Sequence, residues 1–141
     1  MEELRYRILK TAAFLHRDIW ELAREIGNNP EEGYKEYLAS KLHTDFLQKS
    51  GFEIEMPLAG METAFLARFK GLSSGTRIAF LAEYDALPDV GHGCGHHLIG
   101  AASVGAAAIL STLPDLEGEI IVIGSPAEET SGAKVALTEA G

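Results

Sequence analysis

"RIAFLAEYDALPDVGHGCGHHLIGAASVGAAAILSTLPDLEGEIIVIG", residues 77–124, is the stretch that decides the fold. It begins in the apolar run "TRIAFLAEYDAL" and ends in "EIIVIG", residues 119 to 124, a continuous β-branched segment bounded by glycine that reads as a strand covered on both faces. Between them "HHLIGAASVGAAAILSTL" is apolar or small nearly all round, the pattern of a helix buried against a sheet, with Gly and Ala permitting close approach. A strand, loop, helix, strand unit of this kind crosses over to a parallel neighbour, which places the chain in the α/β class.

The segments on the N-terminal side fit that class. Leu4, Ile8, Ala12, Leu15, Ile19, Leu22 and Ile26 recur at spacings of three and four, so residues 2–26 are expected to form an amphipathic helix with one buried face, stopped at Gly27. "NNPEE" is expected to start a second helix, with Asn29 as cap, Pro30 in the first helical position and Glu31 and Glu32 in the first turn. Tyr34, Leu38, Leu42 and Phe46 supply its apolar stripe, and it ends at Lys49-Ser50-Gly51. After Gly51 the period shortens to two in "FEIEM" and "TAFLARFKG", as in half-buried strands, and "GLSSG" is a turn.

Composition narrows the function classes. The 141 residues suit one domain, with an apolar fraction of 46% and a charged fraction of 23%, those of an ordinary globular protein. Acidic residues outnumber basic ones 21 to 12, for a net charge of −9, which disfavours phosphate backbones and anionic membranes, so neither nucleic acid nor membrane is expected as a partner. A single cysteine cannot close an internal disulfide, "MEELRYRILK" lacks the apolar run of a signal peptide, and no stretch reaches membrane-spanning length; a cytoplasmic location is expected.

In α/β sheets ligands gather outside the carboxyl ends of the strands. Three chemically loaded segments fall at such ends: Glu83 and Asp85, which close the expected strand "RIAFLAEYD", the loop "GHGCGHH" with Cys94, His92, His96 and His97, and Glu128-Glu129 after "EIIVIG" and Ser125-Pro126-Ala127. Each has an ordinary explanation. The glutamate pair could be helix N-terminal acids ahead of "TSGAKVALTEA", Cys94 a small buried residue, and Asp85 a turn cap. His16 and His43, on the expected helices, read as surface histidines. The conjunction argues otherwise, because thiolate, imidazole and carboxylate together are the ligands of zinc and similar divalent ions. A Cys-Gly-His spacing lets two ligands converge from one turn, and of two adjacent glutamates one can bind metal while the other takes a proton from water. Such a site suits hydrolysis of an amide or ester.

In order along the chain, "NPEEGYKE", "GFEIE", "TAFLARFKG", "IAFLAEYDALPDVGHGCGHHLIGAASVGAA" and "GSPAEETSGAK" resemble the N-terminal part of the aminoacylase and carboxypeptidase-like zinc metallopeptidase family. The likeness is to its amidohydrolase branch, which includes auxin-conjugate, hippurate, aminobenzoyl-glutamate and β-alanyl dipeptide hydrolases; "EYDALP", "GHGCGH" and "PAEE" carry the specificity. The resemblance implies a zinc-peptidase-like mixed sheet flanked by helices, with residues 1–141 forming the first part of a catalytic domain. It implies Cys94, His96 and Glu129 as metal ligands, Glu128 as general base and Asp85 as an aspartate that orients the site. The metal it implies is zinc, with manganese, cobalt or nickel as substitutes, and the substrate a small N-acyl amino acid or dipeptide. Glu83 stands where other branches carry a metal-binding histidine, His92 reads as a loop residue, and His97 replaces the usual Asp or Asn after "CGH". Family members are much longer and carry an inserted domain for dimerisation and substrate cover, so a homo-oligomer is expected. The alternative reading is a non-catalytic, self-associating module that keeps the fold's first half.

Overall fold

The computed structural model describes residues 1–141. Its order is α1 (Glu2–Asn28), α2 (Tyr37–Lys49), β1 (Glu53–Glu55), β2 (Phe65–Lys70), β3 (Arg77–Ala82), α3 (His96–Ser111), β4 (Glu119–Gly124) and α4 (Ala133–Ala140). The four strands form one mixed sheet in the order β1-β2-β4-β3. β3 and β4 run parallel, as the crossover through α3 requires, with Ile78 opposite Ile120 and Ala82 opposite Gly124, whereas β1-β2 and β2-β4 are antiparallel. β4 thus inserts between β2 and β3, and "GLSSG" joins strands that are not neighbours.

The period of two fixes which side chains reach the core. Ile54, Phe65, Ala67, Phe69, Phe80, Ala82, Ile120 and Val122 share one face with Ala101, Val104 and Ala107 of α3 and Ala39 and Leu47 of α2. α1 lies outside α3, and Gly105 lets the Ile19 side chain approach so closely that an added Cβ would meet its Cδ1 at 2.7 Å. On the opposite face Leu66, Ile121 and Ile123 line a groove shared with Leu58, Leu137 and Ala140, and no residue of β4 is exposed. No helix is long and apolar enough to cross a membrane.

Four expectations are corrected. α1 runs past Gly27 to Asn28; its expected stripe faces inward, half-buried at Ile8, Ala12, Leu15 and Ile19 and fully buried at Leu22 and Ile26. α2 begins at Tyr37, not at Pro30: the segment between is a non-helical brace with a turn at Gly33 and Tyr34, and Glu31 caps the helix from outside by accepting the Leu38 and Ala39 amides at 3.0 and 2.9 Å. The buried face of α2 is Ala39, Ser40, His43, Thr44 and Leu47 rather than the Tyr34-Leu38-Leu42-Phe46 stripe. His43 is consequently a core residue, fully buried beside Tyr84 with ring centroids 5.2 Å apart, not a surface one.

Candidate metal centre

The pairing of β3 with β4 ends at the same level, with the Ser125 amide donating to the Ala82 carbonyl at 2.8 Å as the last link. Beyond it the two chains separate, so the strand expected to reach Asp85 stops at Ala82, and the residues that follow each strand form the rim. A first loop, residues 83–95, carries Glu83, Asp85 and Cys94 and leads to His96 at the start of α3. It closes on itself through paired backbone hydrogen bonds between Leu87 and Gly91 at 2.9 and 3.0 Å. A second loop, residues 125–132, carries Glu128 and Glu129.

Gly95 makes the convergence of Cys94 and His96 possible. It has φ 85° and ψ 13°, the left-handed conformation that a side chain disfavours, and it turns the chain straight into α3. His96 is then buried, with Nδ1 3.0 Å from Asp85 Oδ1 and 3.1 Å from the Asp85 carbonyl oxygen. Both of those atoms are acceptors, so Nδ1 carries a proton, and Nε2 is the ring atom turned to the rim. Asp85, fully buried, uses its other oxygen to accept the Glu129 amide at 3.0 Å, which ties the second loop to the first.

Around His96 Nε2 stand Glu83 Oε2 at 3.5 Å, Glu128 Oε2 at 3.7 Å and Glu129 Oε1 at 3.8 Å. One ligand atom from each of Cys94, His96 and Glu129 lies within 4.8 Å of the others. A ring nitrogen surrounded by carboxylates and a thiol is a donor set short of a cation, and one thiolate, one imidazole and one carboxylate suit a divalent metal with a position left open. Lys134 of α4 is the cation at hand: its ammonium bonds Glu83 and lies 3.6 Å from Glu128 Oε1. The hydrogen bond to Glu83 holds the Lys134 pKa above its ordinary value.

The structure thus brings Asp85, Cys94, His96, Glu128 and Glu129 to one rim. The helix-cap explanation of the glutamates does not describe their position, since α4 starts at Ala133 and has no acid in its first turn. Glu83, left open by sequence, belongs to the same cluster. His92 and His97 stand apart from the three-ligand group: their rings pack at 4.8 Å, and burial pushes both imidazoles below the ordinary histidine range. Gly27, read as a helix stop, instead makes room for His97, whose Cδ2 would lie 2.9 Å from a Cβ there. Lys134 and Glu36, described below, are polar residues of the site region that sequence reasoning missed. Nothing in residue type or spacing marks Lys134, and Glu36 lies in "NPEEGYKE" without chemistry of its own.

The mixed sheet thus carries a thiol, an imidazole and carboxylates at one carboxyl-end rim. No family model matches the chain. The human Xaa-Arg dipeptidase is 40% identical over 144 residues, covering 85% of this chain and 31% of that protein. Thermostable carboxypeptidase 2 of Saccharolobus solfataricus is 38% identical over 129 residues, covering 81% of this chain and 33% of that one. Among solved structures, a Bacillus subtilis protein described as a dinuclear metal-binding peptidase of the M20 family superposes with a TM-score of 0.81 at 28% identity, over 92% of this chain and 40% of its own. The chain is similar over most of its length to these peptidases, and it spans about a third of the length of the curated relatives it matches. The resemblance carried by "EYDALP", "GHGCGH" and "PAEE", and the mixed α/β fold it implied, are borne out.

Proposed function

We propose that residues 1–141 form the N-terminal part of the catalytic domain of a cytoplasmic, metal-dependent amidohydrolase that cleaves the amide of an N-acyl amino acid or dipeptide-like substrate. The observation that carries this reading is the meeting of Cys94, His96 and Glu129 ligand atoms within 4.8 Å at the carboxyl end of the parallel strand pair. These three residues would hold a divalent ion, zinc by the thiolate-imidazole-carboxylate chemistry of the set. When bound, the ion supplies a Lewis acid that polarises the scissile carbonyl and acidifies water. Asp85 keeps the proton on His96 Nδ1, so that Nε2 remains a ligand, and it holds the Glu129 backbone in place. Glu128, adjacent to Glu129 and with Oε2 3.7 Å from His96 Nε2, is the base: its carboxylate takes the proton of the attacking water and returns it to the leaving amine. Lys134 contacts Glu83 and Glu128 and steadies the charge of the rim.

Three donor atoms serve one ion, whereas the solved relative is described as dinuclear, and this count is what favours the alternative of a non-catalytic, self-associating module. The discriminating experiment is native mass spectrometry of the chain with and without Zn²⁺, beside Cys94→Ser and Glu129→Ala, followed by amide hydrolysis assays on Glu128→Gln. Metal uptake lost in the first two variants, and hydrolysis lost in the third with uptake retained, supports the enzyme. Uptake unaffected by either ligand substitution overturns the assignment, and uptake without hydrolysis of any acyl amino acid or dipeptide selects the module.

A further inference from the structure

Between Pro126 and Glu128 the chain makes a turn that no feature of its sequence explains. Ala127 is fully buried and has φ 54°, in the left-handed region where a Cβ is disfavoured, and the Glu128-Glu129 pair leaves directly from it. Such a residue persists only where its surroundings hold it. Here the holding group is remote in sequence: the Ala127 amide donates at 2.8 Å to Glu36 Oε1, whose other oxygen accepts the Thr63 hydroxyl at 2.9 Å. The Tyr84 hydroxyl donates to the Thr63 carbonyl at 2.5 Å, so one buried network joins the residue before Asp85 to the residue before Glu128.

We infer that Glu36 is a positioning residue of the metal centre, its buried carboxylate fixing the left-handed turn at Ala127 and so the directions in which Glu128 and Glu129 leave it; the inference rests on the metal-site reading proposed above. Glu36 is fully buried, and burial pushes its carboxyl above the ordinary range while the hydrogen bonds from Ala127 and Thr63 oppose that shift. A carboxylate kept in such a place at a cost in hydration answers to what it holds. The neighbouring residues act in the same direction. Gly33 leaves space that a Cβ would fill to within 2.9 Å of the Ala127 Cβ, and the Tyr34 and Ser131 hydroxyls meet at 2.7 Å on the far side of the loop. The 31–36 brace therefore grips the second loop at three points, while the Glu31 carbonyl accepts the Ala86 amide of the first at 2.8 Å.

The test is a Co²⁺ titration of the chain, followed by the thiolate-to-cobalt absorption of Cys94, with urea unfolding of each metal-free variant measured in parallel. Glu36→Met, which keeps volume and removes both acceptor oxygens, is expected to weaken Co²⁺ binding roughly 10- to 100-fold and to change the cobalt spectrum. Glu36→Gln, which can still accept from Ala127, is expected to stay within about threefold of the unsubstituted chain. Ala127→Gly added to Glu36→Met is expected to recover part of the loss, because glycine adopts the turn without being held. A Glu36→Met chain that is less stable but binds Co²⁺ unchanged, with an unaltered spectrum, overturns the inference. If that variant does not fold, amide exchange on Glu36→Gln decides: an Ala127 amide exchanging as fast as an open loop, with affinity retained, overturns it. Absence of Co²⁺ uptake by the unsubstituted chain overturns the metal-site reading as well, whereas uptake indifferent to Glu36 overturns this inference alone.

Discussion

The two loops of the rim do the same task by different means. The first, after β3, is held largely by its own residues: the Leu87–Gly91 closure, the left-handed Gly95, and the carboxylate of Asp85 on the Nδ1 of His96. The second, after β4, closes on the Ala127 carbonyl, which accepts from Thr130 and Gly132, but the turn at Ala127 is also held from Glu36 and Gly33, far back in the chain, and its glutamates from Asp85 across the rim. A loop that is held locally can be read from its motif. One that is held remotely looks like an ordinary Pro-Ala-Glu-Glu sequence until the fold brings its partner to it.

Asp85, like Lys134, serves both loops, so removing it should erase the difference between them. Asp85→Ala leaves the Glu129 amide without its acceptor and His96 Nδ1 with only the main-chain carbonyl of residue 85, and is expected to cost roughly 2–5 kcal/mol of stability and 10- to 100-fold in Zn²⁺ affinity. Urea unfolding and calorimetric titration measure the two effects; a loss of affinity with no loss of stability would show that Asp85 orients His96 without supporting the loops.

Acid should loosen the first loop's underside. His43 packs against Tyr84 and Gly100 with no hydrogen bond to either ring nitrogen, and burial lowers its pKa to about 4 from 6.5. The unfolded chain therefore binds the proton first: stability is complete above about pH 6.5 and is lost as pH falls toward 4. The interval corresponds to about 3 kcal/mol. Urea unfolding from pH 7 to pH 4 should show this slope, and His43→Leu should remove that part of it.

Gly100→Ala attacks the same support sterically. Its Cβ would lie 2.5 Å from the Glu83 carbonyl oxygen and 2.8 Å from His43 Nε2, forcing α3 away from the first loop at an expected cost of about 2 kcal/mol in urea unfolding. The smallest effect is expected at Gly95, where nothing lies within 4 Å of an added Cβ and only the left-handed φ is strained. Gly95→Ala should cost about 1 kcal/mol. A larger loss there would mean that the first loop depends on its backbone turn more than on Asp85.

Much of this protein could be read before it was folded. "EIIVIG" marked β4 at its true bounds, the small-residue run marked α3, and the crossover between them required the parallel pair on which the site stands. These are local signals, set by period and by which side chains an interior tolerates, and they survive because packing agrees with them. Chemistry was legible for a similar reason: a thiol, imidazoles and paired carboxylates at strand ends are few enough to stand out. The start of α2 was not legible, because the acids after Pro30 look like a first turn, yet the same residues are drawn out to brace two loops that are distant in sequence.

By itself, then, the sequence determined the α/β class, the parallel unit and the residue types of the rim, all of which follow from period and composition. Only the tertiary structure decided that His43 is core, that Gly27 makes room for His97, and that Glu36 holds Ala127. Each of those depends on a contact between residues far apart along the chain. Such contacts leave no periodicity, because the energy that selects them comes from the partner and not from neighbouring residues.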